Sequence, residues 1–350
     1  MEQMTDESVH TLPGVSYVMP VLNEVTHVRA AVDSLLAQDY TGPFEVTIAL
    51  GPSMDGTTQL VEELAAVDQR VRVVDNTVGS TPAGLNLAIR ASQYPIVIRV
   101  DAHSVLPPDY ARIAVETILE TKADNVGGLM DAQGTTPFER AVARAYGSRI
   151  GLGGTKLHVG GEAGPAETVY LGVFRRDRLL EVGLFDEEIK RGQDWELNRR
   201  LRTTGGIVWF TPRLKVTYRP RPNLYRLARQ FVSTGVWRGE LARRFPASNG
   251  LRYFAPPLMV IGVAVGLILG VVGIVQAIVG SVPWLLLGFI APVFYVLIVV
   301  ASALVWGTKD GPRSFAWFLI VLPCIHFCWG IGFLLGYLSL TRNITAHTGR

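Results

Sequence analysis

Ile96-Val97-Ile98-Arg99-Val100-Asp101-Ala102-His103 decides how the first half of the chain is read. It is a short β-branched run that stops on a carboxylate, with an imidazole two residues further on. A run of this length and composition reads as a buried strand rather than a helix. In an extended segment Asp101 and His103 point to the same side. They can share one divalent cation, or one can hold the metal and the other a water. A cation there would neutralise a diphosphate.

Working back towards the N-terminus, the same unit repeats. Val15-Ser16-Tyr17-Val18-Met19-Pro20 reads as a strand stopped by proline, and Asn23 as the cap of a helix carrying Val25, Val28, Val32, Leu35 and Leu36 at helical spacing. Strands over 45–50 and 71–75 alternate with helices over 57–67 and 83–92. This alternation predicts an α/β fold with a mostly parallel sheet covered on both faces. Ligands of such sheets bind at the carboxyl ends of the strands. The segments of interest are therefore 20–24, 51–55, 76–86 and 101–103.

Working forward, Gly192-Gln193-Asp194-Trp195-Glu196-Leu197 opens a helix. Asp194 sits near its start, where the helix dipole favours a carboxylate, either as a cap or as a functional group. Glu196, Arg199 and Arg200 are spaced to pair along one face. The glycine-dense stretch from Gly151 to Pro165 reads as a mobile loop beside the site or as a plain long connection, and His158 lies within it.

Composition bounds the rest. The chain has 350 residues, of which 49% are hydrophobic and only 18% charged, which excludes an intrinsically disordered chain. A net charge of +3 is too small for nucleic-acid binding by bulk charge, and two cysteines make no disulfide framework. No Asp, Glu, Lys or Arg occurs over 253–308 or 314–341. A bilayer core of about 30 Å takes about 20 apolar residues as helix. Three spans are expected, near 257–279, 284–306 and 315–339, with Gly280-Ser281-Val282-Pro283 as the turn between the first two. The Lys/Arg bias (Arg219 to Arg252 before the first span, Lys309 and Arg313 between the second and third) puts the N-terminal domain on the cytoplasmic side. Met1–Gly14 has no apolar run, so no signal peptide is expected there. The basic segment mixes its arginines with Tyr225, Phe231, Trp237 and Phe245, as a helix lying in a membrane interface does. Its guanidinium groups also suit a lipid-linked diphosphate. In the third span Cys324 and Cys328 read as small packing residues, and His326 as an intramembrane histidine of functional interest.

Several ordered motifs carry a resemblance. These are Met19-Pro20-Val21-Leu22-Asn23-Glu24, Ser53-Met54-Asp55-Gly56-Thr57, Asn76-Thr77-Val78-Gly79 with Pro82-Ala83-Gly84-Leu85-Asn86, Asp101-Ala102-His103, Val182-Gly183-Leu184-Phe185-Asp186-Glu187, and Gln193-Asp194-Trp195-Glu196-Leu197. Together, over about residues 15–245, they resemble family 2 glycosyltransferases of the GT-A fold. They are most similar to a membrane-anchored bacterial branch that includes succinoglycan biosynthesis glucosyltransferases. The resemblance implies a donor pocket bordered by Pro20, Asn23, Glu24, Asp55, Asn86 and Asp101. It implies Mg²⁺ or Mn²⁺ on Asp101 and His103, where the family carries D-x-D, and Asp194 as the general base. Several positions depart from the family pattern. Leu50-Gly51-Pro52-Ser53 lacks the carboxylate with which members read a uracil edge, which counts against UDP as the carrier; the expected donor is a UDP- or GDP-sugar. No Gln-x-x-Arg-Trp follows, which points to one sugar per acceptor visit. Tyr218 stands where many members place a further histidine ligand.

The expected organisation is a flexible tail over 1–14, a Rossmann-like GT-A domain over 15–218, a basic amphipathic interface segment over 219–252, and a transmembrane region over 253–350. The expected function is inverting, metal-dependent transfer of a single sugar from a nucleotide sugar to a polyprenyl phosphate or a polyprenyl-diphosphate saccharide. This would occur at the cytoplasmic face of a bacterial cytoplasmic membrane, in cell-surface polysaccharide or glycolipid synthesis. Arg229, Trp237, Arg238, Arg243 and Arg244 are expected to contact the acceptor, with membrane lipids as the other partner and no nucleic acid. The alternative is a non-catalytic nucleotide-sugar-binding partner of a membrane assembly; Asp101 and Asp194 argue against it.

Overall fold

The computed structural model describes residues 12–341 and 343–347, so most of the tail expected over 1–14 lies outside the described residues. The chain divides into two compact units. One comprises the described residues up to Met130 together with Gly161–Thr217, the other Asp131–Gly160 together with Tyr218 onward. The stretch 131–160, read from sequence as part of the catalytic domain, therefore groups with the C-terminal residues.

The first unit is built on the expected βα alternation: β1 (Val15–Val21), α1 (Val28–Leu36), β2 (Phe44–Leu50), α2 (Thr57–Val67), β3 (Val71–Asp75), α3 (Thr81–Ala91), β4 (Ile96–Arg99) and α4 (Tyr110–Thr121). There follow β5 (Asn125–Ala132), then, after α5 (Pro137–Tyr146) and α6 (Lys156–Val159), β6 (Gly164–Pro165), β7 (Tyr170–Arg175), α7 (Arg176–Glu181), α8 (Gln193–Thr203) and β8 (Val208–Tyr218). The sheet order is β3-β2-β1-β4-β7-β5-β8-β6. Strands β3, β2, β1 and β4 are parallel. Strand β7 pairs antiparallel with β4 and β5, and β6 with β8. The mostly parallel sheet expected from the alternation thus holds for one half only. Beyond β4 the strict one-strand, one-helix alternation gives way, and the pairs β4–β7, β7–β5 and β8–β6 are antiparallel.

Strand β1 shows why this sequence makes a two-faced sheet. Val15, Tyr17 and Met19 join one core with Val28, Val32 and Leu35 of α1 and Ile113 and Ile118 of α4, while Val18 joins the other with Leu85 and Ile89 of α3 and Leu197 and Leu201 of α8. Successive side chains alternate faces, and both faces are covered.

The second unit holds α5, α6, α9 (Leu224–Arg244), α10 (Ala255–Ile278), α11 (Ile290–Trp306) and α12 (Pro312–Tyr337). Three stretches, Leu251–Ile278, Trp284–Asp310 and Pro312–Tyr337, are long and apolar enough to cross a membrane, matching the three expected spans. Helix α5 starts at a full capping box, Thr136 with Glu139. It lies on α12, with Phe138 edge-on to Trp317 at 5.1 Å and Arg144 paired bidentately to Asp310 at 2.6 and 3.0 Å. His326 bridges three segments: Nε2 is 2.9 Å from the Ile150 carbonyl and Nδ1 is 3.2 Å from the Tyr295 hydroxyl. A carbonyl only accepts, so Nε2 carries the proton and Tyr295 donates to Nδ1. The intramembrane histidine is thus used in holding the unit together.

Helix α9 departs from an interface-lying segment. It packs along α12, and Trp237 is 1% and Arg238 8% exposed. The Trp237 indole donates to the His347 carbonyl at 2.9 Å, and the Arg238 guanidinium stacks over Tyr253 at 3.6 Å and bonds Asn249. These two side chains, expected to face an acceptor, are instead packed inside the unit. Arg229 is exposed, and Arg243 and Arg244 reach the surface while pairing with Glu240.

Candidate active site

The ends of β1 and β2 are tied to each other through side chains. Asn23 has φ of 54°, in the left-handed region, so it does not cap α1, which begins at Val28. Its Oδ1 accepts from the Met54 amide at 2.8 Å, and its own amide donates to Ser53 Oγ at 3.0 Å. Asp55 accepts from the Thr57 hydroxyl at 2.5 Å and the Thr57 amide at 3.1 Å through Oδ1, and from the Val25 amide at 3.3 Å through Oδ2. The Thr57 hydroxyl bond is the main reason the Asp55 carboxyl is held below its ordinary range. Asn23 and Asp55 therefore set the shape of this loop pair. Glu24, whose side chain is 17% exposed, is left facing the site. Its Oε1 lies 3.4 Å from His103 Nδ1.

Asn86 is similarly committed. Its Nδ2 donates to the Phe185 carbonyl and to Glu187 Oε1, both at 2.9 Å, and its Oδ1 accepts from the Phe185 amide at 2.9 Å. It locks α3 to the turn that leads towards α8. The same turn is clamped from the other side. Glu196, only 3% exposed, pairs with Arg199 and Arg200, and Arg200 donates to the carbonyls of Val182 and Leu184. The pairing expected along the helix face is present, and through Arg200 it also ties α8 to the turn at Val182 and Leu184.

Helix α8 starts at Gln193 after Gly192, whose φ of 81° reverses the chain. Asp194 is thus the second helical residue, where amide dipoles favour its charge. It lies beside the end of β4 through a residue the sequence reading passed over. Arg99, the last residue of β4, is 8% exposed; its Nη2 is 3.0 Å from Asp101 Oδ1, and its Nη1 bonds Asp194 Oδ1. Burial alone would lower the Arg99 pKa, but the Asp194 and Asp101 carboxylates outweigh it and hold the guanidinium charged. Burying one member of such a triad and removing its partners costs about 3–5 kcal/mol. A charged residue inside an apolar strand was the signal available from sequence, because a buried arginine requires carboxylate partners.

One end of the parallel half-sheet therefore gathers Glu24, Arg99, Asp101, His103 and Asp194, with Pro20 half-buried at the end of β1. The segment expected to be extended through His103 is instead a turn, closed by the Ser104 amide on the Asp101 carbonyl at 2.8 Å, so the same-side argument for Asp101 and His103 does not hold; Asp101 turns to Arg99 and His103 to Glu24. Among the described residues no group of three or more His, Cys, Asp or Glu side chains is placed to hold a metal ion, so a cation here would have at most two protein ligands. Asp101 and His103 are the candidates for those two, an oxygen and a nitrogen donor, with the rest of a Mg²⁺ or Mn²⁺ shell left to diphosphate and water oxygens. The Gly151–Pro165 stretch contains α6, and burial pushes the His158 imidazole in that helix down to about 4.

This fold, with its acidic strand ends and a carboxylate at a helix start, is that of a GT-A glycosyltransferase. The Glycosyl transferase family 2 profile matches residues 16–182. The chain is 31% identical over 332 residues to the succinoglycan biosynthesis protein ExoA of Rhizobium meliloti, covering 93% of this chain and 96% of that protein. It is 26% identical over 223 residues to the glycosyltransferase AglE of Haloferax volcanii, covering 63% and 72%. Among solved structures it resembles the mannosyltransferase PcManGT of Pyrobaculum calidifontis in complex with GDP-Man and Mn²⁺. The TM-score is 0.59 at 17% identity, over 94% of this chain and 88% of that one, a likeness of fold. The chain belongs to the family 2 glycosyltransferases.

Proposed function

We propose that this enzyme transfers one sugar, with inversion, from a UDP- or GDP-sugar to a polyprenyl phosphate or a polyprenyl-diphosphate saccharide, in synthesis of a cell-surface polysaccharide or glycolipid. The observation that carries this reading is the meeting of Asp194 and Asp101 on the two arms of Arg99. Asp194 is 37% exposed and acts as the base. With a polyprenyl-diphosphate saccharide as acceptor, it takes the proton of the sugar hydroxyl as that oxygen bonds the anomeric carbon, while the bond from that carbon to the diphosphate breaks on the opposite face; a polyprenyl phosphate attacks through an oxygen already ionised at neutral pH and asks no base of Asp194. A single base opposite the leaving group supports inversion. Mg²⁺ or Mn²⁺, when bound by Asp101 and His103, supplies Lewis-acid neutralisation of the diphosphate charge. Likeness to a protein named for succinoglycan biosynthesis supports the polysaccharide context, and the GDP-Man and Mn²⁺ of the fold neighbour are compatible with the donor and metal. The Lys/Arg bias supports a catalytic domain in the cytoplasm and spans in the bacterial cytoplasmic membrane.

The test is Asp194→Asn. Base catalysis is worth roughly 10²–10⁴-fold, so transfer falls at least about a hundredfold, while calorimetry shows nucleotide-sugar binding retained. A loss of less than about tenfold overturns the assignment of the base.

A further inference from the structure

Arg99 is the cation at the centre of the site, and the role assigned to it rests on Asp194 as base and Asp101 as metal ligand. Its two terminal nitrogens engage different carboxylates, one just past the strand that carries it and one from a helix ninety-five residues later. A guanidinium is planar and rigid, so bonding one carboxylate fixes the direction in which the other must lie. Each carboxylate uses Oδ1 for Arg99. Asp194 nevertheless remains 37% exposed against 8% for Arg99, so the base presents itself to solvent from a buried anchor. At Asp101 the same charge has the opposite consequence. A cation 3.0 Å from a ligand oxygen repels a second cation approaching that oxygen.

We propose that Arg99 is a positioning residue of the transfer: it aims Asp194 at the acceptor hydroxyl and, by holding Asp101, opposes divalent-cation binding there. The two effects have opposite signs, and this separates the role from simple support of the fold. An ion pair that only stabilised the domain would, when removed, weaken metal binding, donor binding and turnover together.

The experiment uses the full chain in detergent and the variants Arg99→Gln and Arg99→Lys. Mn²⁺ binding is followed by electron paramagnetic resonance without donor, and kcat and donor KM are measured separately. Arg99→Gln is expected to bind Mn²⁺ at least about threefold tighter. Its kcat falls at least about tenfold, with donor KM within about threefold of the parent. Arg99→Lys keeps the charge and loses the fork, so its Mn²⁺ affinity stays near that of the parent while only part of kcat returns. If Arg99→Gln does not fold by circular dichroism, Arg99→Lys decides alone: a parent-like kcat overturns the proposal. Weaker Mn²⁺ binding or a parent-like kcat in Arg99→Gln also overturns it. Asp194→Asn and Asp101→Ala run alongside. An active Asp194→Asn, or Mn²⁺ binding by Asp101→Ala equal to the parent, shows that the underlying assignment of base or ligand is wrong. If both variants lose function while Arg99→Gln stays active, the role of Arg99 alone is refuted. Absence of Mn²⁺ binding by the parent refutes the competition at Asp101.

Discussion

His158 lies in the four-residue helix α6 with Nδ1 buried and no hydrogen-bond partner among the described residues, its ring 6.2 Å from that of Tyr146. Burial disfavours the imidazolium and moves the pKa from 6.5 down to about 4. The unfolded chain gains this proton below about pH 6.5, and the folded chain only near pH 4. The contribution to stability is therefore complete above pH 6.5 and is lost as the pH falls towards 4. The Tm of the parent should drop between pH 7.5 and 4.5 by more than that of His158→Phe, because carboxylates titrate alike in both. Parallel drops in the two melting curves would show that His158 is not the group responsible.

At the level of elements, helices α9 and α12 meet through glycines. A Cβ on Gly235 or Gly239 would lie 2.2 or 2.1 Å from the carbonyl oxygens of Trp329 and Phe333, and one on Gly332 or Gly336 would lie 2.4 or 2.0 Å from those of Val232 and Val236. Each helix carries its pair four residues apart, so both glycines fall on the facing side. Without side chains there, the backbones approach closely, as small-residue helix pairs do in membranes. Gly239→Val forces the helices apart and should cost about 1–3 kcal/mol, the range for overpacking. Gly262→Val on α10, where nothing lies within 4 Å, serves as the control. Thermal melts in detergent compare them; equal Tm values for the two variants would remove the argument for a close-packed pair.

For the whole molecule, the acceptor question turns on which arginines remain available. Trp237 and Arg238 are buried, which leaves Arg229, Arg243 and Arg244 of the expected set. These precede the first span, so a lipid diphosphate held by them would have its chain in the bilayer. Charge-assisted contacts contribute about 1.5–3 kcal/mol each. Replacing the adjacent Arg243 and Arg244 at the end of α9 with Gln should therefore raise the acceptor KM at least about tenfold and leave nucleotide-sugar affinity unchanged. The assay uses a short-chain lipid acceptor in detergent, where mere adhesion to a membrane no longer contributes. An unchanged acceptor KM would mean these arginines serve the membrane surface only.

The sequence alone determined what depends on local pattern. Strands β1 to β4 were legible because short stretches rich in Val and Ile alternate with segments of helical spacing, the three long helices because charge is missing over span-length stretches, and Asp101, His103 and Asp194 because they follow a recognisable strand end and a helix start. The tertiary structure decided what depends on partners distant in sequence. Arg99 became the link between two carboxylates only once α8 returned beside β4. Asn23 proved to be a loop brace because its Oδ1 accepts from the Met54 amide across the strand ends, and Asn86 because the Phe185 backbone came to meet it. Residues 131–160 joined the helices of the second unit, and Trp237 and Arg238 turned inward against their neighbours, because burial is set by the surface an element packs against. Periodicity reports which side of a helix is apolar. It carries no record of whether a bilayer, a neighbouring helix or water covers that side.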